Sequence, residues 1–139
     1  MAGLIEIDNT LPIVDENQIE TLLELDDEDE PEERFIFEAA EMYDESAQQH
    51  FGEMERLAVA QAGESEEDMK ARLHKFSRSA HAMKGTAGNM GGKRLSKIFE
   101  HLQRSGEQAQ QERCAHGVVL AKQEHEIFRA ALKERMAQL

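Results

Sequence analysis

Six histidines, at positions 50, 74, 81, 101, 116 and 125, are the side chains of this sequence best suited to chemistry. Imidazole with a pKa near ~6.5 keeps a nitrogen lone pair at neutral pH, so it can ligate a metal or attack an electrophile. No two of the six stand three to five residues apart, the spacing at which one helix offers two histidines to a zinc ion. A metal-binding bundle would have to gather its ligands through tertiary contact alone. His125 falls on an apolar stripe and reads as a core histidine. His50, His101 and His116 read as surface or boundary residues.

His81 differs in its surroundings. The apolar stripe of its helix centres near Leu73 and Ala80, and His81 falls ~120° away, at a partly exposed position. Gly85 and Gly88 follow one and two turns later on the same face. Each glycine inside a helix costs ~1 kcal/mol relative to alanine, so two beside one histidine clear space for something to approach. The packing alternative is a neighbouring helix that needs the same space. Lys84 lies within one turn, Arg78 and Lys75 precede, and from Arg72 to Arg104 eight basic residues face one acid, Glu100. Positive charge of this kind would stabilise a phosphohistidine.

Gln103 sits at the edge of the Leu95, Phe99 and Leu102 stripe on the next helix, where it could hydrogen-bond the imidazole. Such a bond would orient the ring and leave the other nitrogen to react. On spacing alone it is equally an ordinary boundary residue. No Ser-His-Asp arrangement, glycine-rich loop after a strand, or ATP fingerprint accompanies His81. The reading is a nucleophile with no cofactor of its own, whose machinery, including any Mg²⁺, comes from a partner.

The elements that must position these residues are helical. Of 139 residues 40% are hydrophobic but only 5% aromatic, with no Trp, so the core is built from Leu, Ile, Met, Ala and a few Phe. Five segments carry a helical period. The first runs from about Asp15, a plausible N-cap, to Leu25. The second opens near Pro31, with Glu32 and Glu33 favouring the dipole's positive end, carries the stripe Ile36, Ala40, Tyr43, Ala47, Phe51, Met54, Ala58, and should end near Gly63. Ser65 and Asp68 resemble a capping box for the third, whose stripe is Met69, Leu73, Phe76, Ala80, Met83, Ala87. Gly91-Gly92 breaks it. The fourth runs from Lys93 to about Ser105, and Gly106 is expected to stop it. The last carries Cys114, Val118, Ala121, His125, Phe128, Leu132 and Met136. The expected fold is all-α: an antiparallel four-helix bundle with a short additional N-terminal helix, residues 15–139 forming one domain behind a flexible segment over 1–14.

Charge divides the chain. Residues 1–70 hold 23 acidic and 3 basic side chains, whereas 71–139 hold 6 acidic and 13 basic. The run Asp26-Asp27-Glu28-Asp29-Glu30 reads as a solvated loop, and its acidity argues against nucleic acid as a partner. No stretch approaches the ~20 apolar residues of a membrane span, no signal peptide is apparent, and the lone Cys114 forms no internal disulfide. These features suit a soluble protein of a reducing, intracellular compartment.

The segment His81-Ala82-Met83-Lys84-Gly85-Thr86, with Gly91 beyond it, resembles the histidine phosphotransfer signature His-x-Leu-Lys-Gly-Ser with a glycine ten residues after the histidine. Gln103, twenty-two residues downstream, is similar to the glutamine that contacts the phosphorylatable ring in the fungal phosphorelay intermediate. The resemblance spans nearly the whole chain. It implies that His81 accepts a phosphoryl group from the receiver domain of a hybrid sensor kinase and passes it to a response regulator. It further implies that Lys84 steadies the phosphoryl group, while Gly85, Gly88 and Thr86 shape access to it. Leu22, Leu25, Phe35 and Ala39 match docking positions on the first two helices; without the resemblance they read as plain core. A cytoplasmic and nuclear monomer is implied, since the partner face must stay free. Met83 for leucine, Thr86 for serine, and Ala87 with Gly88-Asn89 depart from the common pattern.

Two rival readings are a helical adaptor that binds receiver-like domains without carrying phosphate, and the metal-binding bundle already described. A histidine kinase fragment fails for want of an ATP-binding domain.

Overall fold

The computed structural model describes residues 4–26 and 34–139. Five helices account for most of them: α1 (Glu16–Leu23), α2 (Phe35–Leu57), α3 (Glu66–Asn89), α4 (Lys93–Glu107) and α5 (Gln111–Ala137). No strand occurs among the described residues. Helices α2 to α5 pack each on the next, and α5 returns to α2, closing an antiparallel four-helix bundle. Helix α1 leans on α2 at the end where α3 passes into α4.

The apolar stripes become the core. Ile36, Ala40, Tyr43, Ala47, Phe51 and Met54 from α2, with Ala58 just past its end, meet Leu73, Phe76, Ala80, Met83 and Ala87 from α3. Leu95, Ile98, Phe99 and Leu102 from α4 meet Cys114, Val118, Ala121, Phe128 and Leu132 from α5. Met69 and Met136 are half-buried at the ends of their stripes. His125 lies at the core's edge, where its Nδ1 is 2.8 Å from the Tyr43 hydroxyl. Among the described residues no helix is long and apolar enough to cross a membrane.

Caps explain several boundaries. The Asp15 carboxylate accepts from the Asn17 amide at 3.2 Å, and the Ser65 hydroxyl accepts from the Asp68 amide at 3.1 Å. The expected start of α2 at Pro31, Glu32 and Glu33 lies outside the described residues. Within them, the cap reaches across from Asp26, whose carboxylate accepts from the Phe35 amide at 2.8 Å and pairs with Arg34. Helix α2 ends at Leu57, short of Gly63. Arg72 donates to the Leu57 carbonyl at 2.6 Å and Gln111 to the Ala58 carbonyl at 2.6 Å, so α3 and α5 take the carbonyls that another helical turn would have used.

Two expectations are corrected. Gly106 does not stop α4; it is buried inside the helix, where an added Cβ would stand 2.6 Å from the Leu73 carbonyl oxygen and 2.9 Å from the Ser77 Cβ. It is a close-approach residue between α3 and α4. The chain turns instead at Ala109 (φ 53), with Ala109 N–H on the Gly106 carbonyl and Gln110 N–H on that of Ser105. The same paired bonds end α3, there with Gly91 (φ 87) in the left-handed position. Residues 4–14, expected to be a flexible tail, lie against the bundle: Ile5 is 8% exposed, with Ile7, Ile13 and Val14 packed on the core. Ile5 and Leu102 fill the space left by the absent side chain of Gly117 on α5.

Candidate functional site

His81 projects from α3 and is exposed. It stands ~12 Å of helix before Asn89, hence nearer the end covered by α1 than the opposite one. That end is anchored, because the Asp15 amide donates to the Gly91 carbonyl at 2.7 Å and the Gln18 side chain to the Asn89 carbonyl at 2.9 Å.

Gln103 reaches the ring. Its Oε1 lies 3.1 Å from His81 Nδ1, joining α4 to α3. Its Nε2 donates to the Glu107 carboxylate at 3.0 Å. A carboxylate only accepts, so the amide nitrogen faces Glu107 and the amide oxygen faces the imidazole. His81 Nδ1 is then the donor, and the lone pair belongs to Nε2. Sequence reasoning missed Glu107; its spacing of one helical turn from Gln103 was the available signal.

Around the ring the expected residues separate by role. An added Cβ at Gly85 would meet nothing within 4 Å, so the approach to His81 is open there. At Gly88 it would meet the Ser96 hydroxyl at 3.5 Å, so this glycine faces α4. The Thr86 hydroxyl donates to the Ala82 carbonyl at 2.9 Å and is spent on its own helix. Lys84, half-buried one turn beyond His81, lines a cleft with Lys93, Lys97 and Glu100. Lys97 bonded to Glu100 holds that carboxyl below its usual range, with Arg104 and Lys84 adding to the effect. On the other side of α3, the Ser79 hydroxyl donates to Glu53 on α2 at 2.7 Å.

The docking candidates also divide. Leu25 (61% exposed) and Phe35 stand at the corner where α1 gives way to α2, and Ala39 is half-buried. Leu22 is corrected: at 7% exposure it belongs to the core and supports that corner from beneath. Met42, exposed one further turn along α2 from Ala39, extends the same row and went unnoticed in the sequence. Of the other histidines, His74 and His116 are exposed and His50 and His101 half-buried. Among the described residues no three His, Cys, Asp or Glu side chains converge closely enough to hold a metal ion.

An all-helical bundle presenting one oriented, solvent-facing imidazole is the architecture of a histidine phosphotransfer module. The family model of the Hpt domain matches residues 38–139, and the chain belongs to that family. Its activity is therefore that of a phosphocarrier in a phosphorelay, a module that meets receiver domains rather than a kinase. No curated protein matches the chain.

Proposed function

We propose that this protein relays a phosphoryl group through His81, from the receiver aspartate of a hybrid sensor kinase to that of a downstream response regulator, in the manner of the fungal intermediate. The observation that carries this reading is the exposed His81 ring, bonded through Nδ1 to Gln103. In the forward step the Nε2 lone pair attacks the phosphorus of the receiver's aspartyl phosphate. The phosphorus–oxygen bond breaks, and the aspartate leaves as a carboxylate with the electron pair. The ring keeps its Nδ1 proton and takes up positive charge, so the bond to the Gln103 carbonyl strengthens as the transition state forms. Lys84 offsets the phosphoryl charge, and Gly85 admits the receiver's loops. Leu25, Phe35 and Ala39 give that domain an apolar seat. The protein works as a monomer in cytoplasm and nucleus, with no cofactor of its own; Mg²⁺ travels with the receiver.

The test is phosphotransfer from a labelled, phosphorylated receiver domain to the wild type and to His81→Gln. An acid-labile, base-stable label lost only in the variant is the expected result. Label retained by the variant would place the chemistry on another histidine. Binding without label in either protein would favour the adaptor.

A further inference from the structure

Building on the reading of His81 as the phosphoacceptor, we propose that Glu107 is a positioning residue that selects which imidazole nitrogen reacts. The Gln103 amide has two chemically opposite ends, an oxygen that only accepts and a nitrogen that only donates. Turned one way, it holds the proton on His81 Nδ1 and leaves Nε2 free to attack. Turned the other way, it donates to Nδ1, drives the ring proton to Nε2, and removes the outward lone pair. The His81 ring accommodates both arrangements, since either tautomer can complete the bond. Glu107 breaks the tie. Its carboxylate accepts from Gln103 Nε2 at 3.0 Å, one helical turn along α4, and so aims Oε1 at the ring.

The charge on Glu107 has a second effect in the same direction. A carboxylate drawing on the amide N–H polarises the amide, which makes its oxygen the better acceptor when the ring becomes cationic. An exposed Gln–Glu pair on one helix is otherwise a minor surface contact, worth a few tenths of a kcal/mol to the helix. That role would leave the ring tautomer untouched, which is what separates the two.

The experiment is ¹⁵N NMR of the His81 ring in the full chain, at a pH well above the ordinary imidazole range, paired with phosphotransfer rates. Glu107→Gln still offers an accepting oxygen and should keep the Nδ1 proton, with a rate between those of the wild type and Glu107→Lys because the polarising charge is gone. Glu107→Lys offers only donors, so the amide should turn, the proton should move to Nε2, and the rate should fall on the order of 3- to 10-fold. An unmoved ring proton and an unchanged rate in Glu107→Lys overturn the positioning role, while label on His81 still upholds the phosphoacceptor reading. A proton that moves as expected in a protein whose His81 never takes label upholds the positioning and overturns the phosphoacceptor reading.

Discussion

The hydroxyl of Ser96 donates to the carbonyl oxygen of Lys84 across the α3–α4 interface, at 2.8 Å. Lys84 immediately precedes Gly85, so α4 braces α3 where two glycines weaken its own preference for a helix. The brace leaves the solvent face of this turn bare, and the stability cost of the bareness can be measured.

Replacing Gly85 with Ala should stabilise the protein and slow it. The new methyl meets nothing within 4 Å, so helix propensity alone acts and contributes roughly 0.5–1 kcal/mol. On the proposed relay, the same methyl stands where the receiver's loops would pass. Denaturant unfolding and phosphotransfer, run on one preparation, should therefore move in opposite directions.

The opposite pair tests the turn between α4 and α5. Gly106→Ala pushes a methyl into the backbone of α3 and should cost about 1–3 kcal/mol. Ala109→Gly relieves a left-handed alanine and should raise stability by up to ~1 kcal/mol. Thermal melts decide both.

Gln103→Ala should slow transfer on the order of 3- to 10-fold without abolishing it, since the nucleophile remains and one oriented hydrogen bond is lost. Stopped-flow or quench-flow transfer from a phosphorylated receiver measures this. An unchanged rate would remove Gln103 from the mechanism.

Stability should fall in mild acid. Burial holds His125 below its ordinary value of 6.5, with the positive charges of Arg129 and Lys122 assisting against Asp44 and Glu126. His101 is lowered as well, first by burial and then by Lys97 and Arg113. A histidine lowered in the folded state contributes stability that is present above its unfolded pKa and lost as pH falls through the folded one. The melting temperature should therefore decline between about pH 7 and pH 5, and His125→Gln should flatten part of that decline. Glu53, Glu64 and Glu100, all held low, act in a separate window below 4.5.

The helical stripes, the caps at Asp15 and Ser65, and the exposure of His81 were legible because each depends on local order in the chain. Gln103 was legible as a candidate for the same reason, lying on the edge of a stripe. Gly106 was misassigned because a glycine near a helix end suits a turn and a tight crossing equally well; only the position of α3 distinguishes the two. The end of α2 depended on Arg72 and Gln111, residues distant in sequence that capture its last carbonyls. Leu22 and Leu25 are one residue type three positions apart. What separates them is that α1 ends at Leu23 and the chain bends away, exposing the second. Residues 4–14 show no regular period, so their packing against α5 had no periodic signature.

The bond from the Asp15 amide to the Gly91 carbonyl joins the first helix to the turn that ends α3. On the proposed docking, a domain arriving at Leu25 or Phe35 therefore grips the same piece of the fold that carries His81. Seating converts a search through solution into an encounter at high effective concentration, with the distance and angle to Nε2 already limited. Partner preference could then be retuned by changing the side chains of that corner alone, leaving the chemistry at His81 as it is.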